Sequence, residues 1–433
     1  MYKKIKVVWI CHFSDERTRS YIKFSWLYYR WFFNIIKRRA VRNISDMSVW
    51  ITNAIQEFEK FGDIDLTIVF PHRGVKGSCQ KFNINGISYI CFRSEDDFLL
   101  SRIASEFKVL NHKEYKKNRE IIRGVVNQIK PDIVHVIGAE NPYYSISALD
   151  VPQNIPCVVS LQTLMSDPDF MKNYPTSKKE YNYRSSIEKK IIKNCDYIAS
   201  PIRQFKDIIH QQINPKAVFL KMTLAVGQDV DTAFDKKQYD FVYFAANISK
   251  ACDYAIEAFA LACKQYPSLT LNISGGYSNN YRSQLDNRIN ELGITDNVFF
   301  TGPKNTHSDV LNQIKKSRFA LLPLKIDLIS GTIREAMACG LPVITTITPA
   351  TPKLNSRREC VLLSDKGDYE AMAKNMMFLL NNKEKAASLM QNSILTIKEM
   401  YSNEAFMKGW HNGYYEILEN FHNGTPFSED LIL

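Results

Sequence analysis

One stretch, residues 319–346, restricts the architecture of the chain more than any other. An apolar run at 319–322 is followed by a loop from Pro323 to Ser330, a helical segment, and a second apolar run at 342–346. Gly340 closes the helix and Leu341-Pro342 prevents it from continuing. Strand, loop, helix and strand in so short a span form a βαβ unit, and such units build parallel sheets. The loop then lies at the carboxyl end of a strand and feeds a helix N-terminus, where unpaired N–H groups and the helix dipole favour an anion. Ser330, Gly331 and Thr332 are candidate contacts there, and Gly331 allows the backbone to approach a ligand closely. Glu335 sits one turn into the helix, with Asp327 eight residues before it in the loop. From spacing alone Thr332-Ile-Arg-Glu335 reads equally as a capping box, and Asp327 as a solvated loop acid.

The same alternation runs through the whole chain. Strand-like runs at 5–10, 66–70, 87–91, 133–137, 157–161 and 197–199 are interspersed with helical patterns, the clearest at 48–61 and 113–129. After a polar join near 228–239 the pattern restarts, with strands at 241–245, 269–273, 298–301, 319–322, 343–346 and 361–363. A chain of 433 residues exceeds one core and suits two domains of about 200 residues each. Hydrophobic content of 45% and charged content of 23% are those of a soluble globular protein. The nine cysteines are scattered, which points to reduced thiols in a cytosolic protein rather than to a zinc site or disulfide frame. The first apolar run is too short for a signal peptide, and no stretch approaches the roughly 20 apolar residues needed to span a bilayer.

Residues 319–346 resemble the signature of the retaining nucleotide-sugar glycosyltransferases of family 4, which have the GT-B fold. The proline is Pro323, the first acid Asp327, and after seven residues Glu335-Ala-Met-Ala-Cys-Gly-Leu-Pro-Val-Ile344 follows without a gap. The family usually has Glu where Asp327 stands and Gly-Phe-Gly where this chain has Leu328-Ile-Ser330. Tyr254-Ala-Ile-Glu-Ala-Phe-Ala-Leu-Ala262, Leu271-Asn-Ile-Ser-Gly-Gly276 and Leu292-Gly-Ile-Thr-Asp-Asn-Val-Phe-Phe-Thr-Gly302 resemble their counterparts in order. The resemblance covers about 235–420 well and the first half loosely.

The resemblance implies two Rossmann-like, doubly wound α/β domains facing a cleft. Residues 1–230 would form the acceptor domain and 231–402 the nucleotide-sugar domain, with a helix in 403–433 crossing back to the first. It implies that Asp327 holds the donor sugar, that Glu335 faces the ribose, that Gly275 and Gly276 turn near the nucleotide, and that Pro303 and Lys304 lie by the base. The family's diphosphate is neutralised by an Arg and then a Lys, because the departing group gains negative charge. Here Asn247 stands at the Arg position. Lys250 is either the displaced Lys or a surface lysine, and Arg334 is another cation nearby in sequence. In the first half, Pro131-Asp-Ile-Val-His135-Val-Ile-Gly-Ala-Glu140 resembles the strand and loop at the cleft. His135 reads as a core histidine or as a contact, and Glu140 as a sugar or acceptor contact or an exposed acid. Gln162 holds the place of a histidine that often contacts the donor sugar. An amide can bond a hydroxyl but cannot exchange a proton, which a retaining reaction tolerates when the departing phosphate oxygen takes the acceptor's proton.

Residues 1–43 carry eleven Lys and Arg against two acids, most of the net charge of +11. Within 21–42, eight aromatic residues crowd together, and on a helix Lys23, Arg30 and Lys37 would form one basic stripe. That is the layout of a helix lying on an anionic membrane surface, or of an elaborated loop packed on its own domain. No nucleic-acid motif accompanies it. The resulting expectation is a cytoplasmic enzyme, peripheral on the inner face of the membrane. It would move a hexose-type sugar from a nucleoside diphosphate to a saccharide or polyprenyl-linked acceptor in surface polysaccharide assembly, with no metal and no other cofactor. The alternative is a catalytically weak GT-B subunit that binds sugar nucleotides or a partner, motivated by Asp327, Asn247 and Gln162.

Overall fold

The computed structural model describes residues 4–25, 46–95, 114–168, 170, 177–225, 237–245, 250–325, 331–348 and 350–433. Asn247, Asp327, Ser330 and residues 26–42 of the basic aromatic segment lie outside them. The chain divides into two compact units. Unit 1 comprises Met1–Lys172, Thr176–Ala225 and Glu404–Leu433, and unit 2 is built on Val226–Asn403. Both are α/β, and each is organised on a parallel, Rossmann-like sheet.

The sheet of unit 1 contains β1 (Ile5–Ile10), β2 (Ile64–Pro71), β3 (Cys79–Ile84), β4 (Ile87–Phe92), β5 (Ile133–Ile137), β6 (Cys157–Ser160), β7 (Tyr197–Ala199) and β8 (Val218–Leu220). The order is β3-β4-β2-β1-β5-β6-β7-β8, with winding reversed between β1 and β5. The central strands are near-continuous apolar runs because both their faces are covered. Only β3 is antiparallel, joined to β4 by a two-residue turn in which Asn85 and Gly86 both have positive φ. At the other edge the chain end covers β8, with Leu433 N–H donating to the Phe219 carbonyl and Lys221 N–H to that of Leu431.

The helix Asn403–Asn423 completes this unit by burying Met407, Trp410, Tyr414 and Ile417, a three-and-four spacing that puts one stripe on the core. Trp410 meets Trp9 edge-on and lies against the ring of His135. A hydrogen-bond relay runs beneath it. Trp9 Nε1 donates to the Tyr414 hydroxyl over 2.7 Å, that hydroxyl lies 2.7 Å from His135 Nδ1, and His135 Nε2 lies 2.7 Å from Ser160 Oγ. Since indole only donates, the tyrosine accepts from Trp9, and the tautomer of His135 sets the direction of the other two bonds. His135 is wholly buried and satisfied at both nitrogens, so it is a core residue and not a sugar or acceptor contact. Burial pushes its pKa down to about 3.

Beyond Tyr21 the start of the basic aromatic segment is not helical. The helix Glu16–Tyr21 ends with Ile22 extended, and Phe24 forms an antiparallel bridge with Val75. Lys23 is held through its backbone by Gln80, which removes it from the basic stripe read from the sequence. Tyr21 stacks on Phe82 and Phe24 lies against His72. Among the described residues no helix is long and apolar enough to cross a membrane.

Unit 2 contains β9 (Tyr239–Phe244), β10 (Leu271–Ser274), β11 (Val298–Phe300), β12 (Ser317–Leu322), β13 (Val343–Thr346) and β14 (Val361–Ser364), all parallel in the order β11-β10-β9-β12-β13-β14. This is the doubly wound order, with winding reversed between β9 and β12.

The relay in unit 1 yields a stability test. Tyr414→Phe leaves Trp9 Nε1 and His135 Nδ1 buried without a partner, which should lower unfolding free energy by roughly 2–4 kcal/mol. Urea denaturation measures this, and an unchanged midpoint would show that the hydroxyl contributes nothing.

Candidate functional site

Both winding reversals place polar residues at carboxyl strand ends, and the two sets differ in charge. In unit 2 the helix Gly331–Ala338 follows β12. It ends in a Schellman arrangement: Gly340, at φ +69°, donates to the Met337 carbonyl and Leu341 N–H to that of Ala336. The helix starts at Gly331, so Thr332 lies inside it and is not the N-cap that a capping box with Glu335 requires. The Glu335 carboxylate reaches outward instead. Its Oε1 lies 3.0 Å from His307 Nε2, both side chains being about 15% exposed.

His307 opens the helix His307–Ile314, capped by Thr306, whose hydroxyl accepts from Asp309 N–H. The sequence offered this histidine no special status, because its partner is 28 residues away in the chain. Lys250, after β9, also faces Glu335. It is part-buried, and desolvation lowers its ammonium pKa to about 8, with Glu335 pulling upward and Arg334 downward. Tyr243 holds the segment by donating its hydroxyl to the Lys250 carbonyl.

Arg334 is buried with its guanidinium over the Tyr401 ring, one terminal nitrogen unbonded, and desolvation brings its pKa to about 10. Lys325, just after β12, pairs with Asp253 at 2.6 Å and lies over Tyr254. The sequence reading passed it over. Gly275 has φ +153°, and a Cβ there would stand 2.5 Å from the Ala245 carbonyl oxygen, so only glycine lets the ends of β10 and β9 come this close. Gly276 packs on Pro303, while Lys304 turns back to donate to the Thr301 carbonyl. The structure thus joins Lys250, His307 and Glu335, and separately Gly276 and Pro303.

In unit 1 the loops after β1, β5 and β6 carry His12, Glu140 and Gln162-Thr163. Glu140 is not an exposed acid. Burial raises its carboxyl pKa, Asn141 donates to one oxygen, and the other is buried with no hydrogen bond. Arg184 fixes the loop by donating to the Glu140 carbonyl and to Asn141 Oδ1. Burial, with His72 and Arg73 nearby, lowers the His12 pKa to about 4. Its Nδ1 and Thr163 Oγ1 are also buried without partners. Gln162 is part-buried at the end of β6. The following turn is tied down by Glu188, which is wholly buried and accepts from Met165 N–H, Ser166 N–H and the Ser166 hydroxyl. Burial raises the Glu188 pKa to about 7. His12, Thr163 and Glu188 were missed in the sequence because single polar residues among apolar ones carry no spacing signal.

Residues 228–395 match the family model described as Glycosyl transferases group 1. Over 162 residues the chain is 29% identical to an uncharacterized glycosyltransferase of Haemophilus influenzae, covering 37% of this chain and 44% of that protein. The chain spans between about a third and a half of the relatives it matches in sequence. Sucrose-phosphate synthase from Thermosynechococcus elongatus superposes with a TM-score of 0.69 at 15% identity, covering 96% of this chain and 99% of that one. Anabaena Alr3699/HepE, solved in complex with UDP and glucose, gives 0.64 at 11% identity over 95% and 99%. The fold is GT-B.

The lowered Lys250 gives a pH test with a fixed sign. An anion such as UDP bound beside Lys250 would lose the ammonium's attraction as the amine deprotonates, so above pH 8 binding would take up a proton. Affinity should therefore fall as pH rises through 8, approaching about tenfold per pH unit. Lys250→Arg, which stays charged, should flatten the profile in calorimetric titration; an equal slope in both would assign the dependence elsewhere.

Proposed function

We propose that the protein is a retaining glycosyltransferase that moves a sugar from a nucleoside-diphosphate donor to a saccharide or lipid-linked acceptor in surface polysaccharide synthesis. The observation that carries this reading is Glu335, released from a capping role at the start of the helix after β12 and set beside Lys250 and His307 within the matched domain. In the proposal Glu335 bonds the ribose hydroxyls, Lys250 and the first N–H groups of the helix Gly331–Ala338 face the diphosphate, and Asp327 holds the donor sugar. Gly276 and Pro303 border the nucleotide. Gln162 donates its amide to a sugar hydroxyl.

The unpaired groups His12, Glu140 and Thr163 in unit 1 take the acceptor's hydroxyls, since a polyol supplies both donors and acceptors. In the transfer the bond from the anomeric carbon to the diphosphate oxygen breaks. The acceptor oxygen bonds the same face, and its proton passes to the departing phosphate oxygen. HepE, a protein of the same fold, is solved with UDP and glucose, which supports UDP as the first nucleotide to test.

Glu335→Ala should weaken nucleoside-diphosphate binding by about 10-fold to 100-fold, the loss of one or two charge-assisted hydrogen bonds. Calorimetry with UDP and GDP on folded protein checks this, and unchanged binding would leave Glu335 only a structural role. Turnover of labelled sugar nucleotides, with NMR of the product anomer, tests transfer and retention. Donor binding without turnover would favour the catalytically weak subunit.

Membrane attachment is a separate proposal resting on the sequence of residues 26–42, where Lys37, Arg38, Arg39 and Arg42 follow the aromatic run. Each basic residue near an anionic surface adds about 1 kcal/mol. Changing Lys37, Arg38 and Arg39 to Gln should release the protein from phosphatidylglycerol vesicles at moderate salt while sparing activity on a water-soluble acceptor. If sedimentation finds no vesicle binding by the unmodified protein, the attachment proposal fails.

A further inference from the structure

We infer that His307 is a positioning residue that orients Glu335 toward the ribose and thereby makes the protein select ribonucleotides over deoxyribonucleotides. The inference rests on the donor role proposed for Glu335. A glutamate side chain turns about three bonds, and freezing it when a ligand arrives costs binding free energy. Here one oxygen is already engaged, Oε1 with His307 Nε2 at 3.0 Å, while the other makes no hydrogen bond among the described residues. One end of the carboxylate is thus anchored by protein and one end left for a ligand.

The anchor is itself fixed. His307 is the first residue of its helix, and the Thr306 hydroxyl holds that helix start through Asp309 N–H. The loop leading to it is tied to the neighbouring strand end, where Gly275 N–H donates to the Gly302 carbonyl and Gly276 packs on Pro303. His307 therefore links the loop after β11 to the helix after β12, across the ends of the parallel strands β10 and β9, and the helix dipoles at both starts favour negative charge. A vicinal diol bonds a carboxylate oriented in this way. A 2′-deoxyribose offers one hydroxyl fewer, and a group built to receive a hydroxyl rejects the analogue lacking it.

The experiment is calorimetric titration with UDP, GDP and their 2′-deoxy forms, taking whichever base the unmodified protein binds more tightly. The unmodified protein should prefer the ribonucleotide by at least about tenfold, the worth of one charge-assisted hydrogen bond. His307→Ala should lose most of that preference and raise KM for the sugar nucleotide with kcat little changed. His307→Gln, whose amide nitrogen reaches nearly as far as Nε2, should restore it.

If His307→Ala keeps both affinity and preference while Glu335→Ala loses them, the inference is overturned and the donor role of Glu335 stands. If His307→Ala and His307→Gln weaken both nucleotides equally, His307 acts on the loop alone and the inference is again overturned. If no nucleoside diphosphate binds the unmodified protein, the donor reading itself falls and the inference with it. Thermal melting of each variant verifies that it is folded.

Discussion

The reversal of winding in each sheet is the constraint on which both sites depend. Right-handed crossovers force consecutive helices to one face while the strand order moves one way, and to the other face once it turns back. At β9 and β12, and again at β1 and β5, neighbouring strands send their following segments to opposite faces. Backbone groups at that parting cannot bond one another, so the chain must offer them side chains, solvent or a ligand. Lys250 and the helix Gly331–Ala338 follow the parting strands of unit 2, and His12 and Glu140 those of unit 1. His307 is brought to Glu335 from beyond β11, at the edge of the sheet.

The two partings have been given opposite electrostatics. Around Glu335 the fold places Lys250 and Arg334, both with pKa values lowered by burial, while Lys325 is paired with Asp253. Excess positive charge that is only partly hydrated suits a polyanion, because the anion replaces the water that burial removed. In unit 1 the same desolvation acts on groups of either sign and removes charge: His12 is driven toward the neutral imidazole and Glu140 toward the protonated acid. What remains there is a set of hydrogen-bonding atoms suited to hydroxyls.

Much of this was legible in the sequence where a period or a punctuation residue carried it. β1, β5, β7 and β13 coincide with their apolar runs, and Gly340 with Pro342 marked the end of the site helix. The hairpin of β3 and β4 was missed although Asn85-Gly86 announces such a turn, because β3 alternates exposed and part-buried residues and has no apolar run. β8 has three residues, pairs with β7 on one side and is covered by the chain end on the other. The helical stripe through Lys23 failed because Gln80, 57 residues away, claims that backbone. In the site the carboxylate Glu335 was legible from its neighbours in sequence. Its anchor His307 was not, since contact between loops of different strands leaves no local trace.

His135 and Glu140 show why a polar residue on an apolar strand or at its end cannot be assigned from its type. The sequence allowed both to be contacts. His135 has both nitrogens occupied and its charge suppressed, so any ligand would have to break bonds worth as much as those it made. Glu140 keeps one buried oxygen unbonded, a cost of about 1–3 kcal/mol that a ligand hydroxyl would recover. Satisfaction alone does not decide, because Trp410 Nε1 and Ser317 Oγ are also unbonded, yet both are packed into the units away from the carboxyl strand ends. An unpaired group marks a site when the topology also opens the backbone beside it. Among the sequence candidates of unit 1, Glu140 meets both conditions and His135 meets neither.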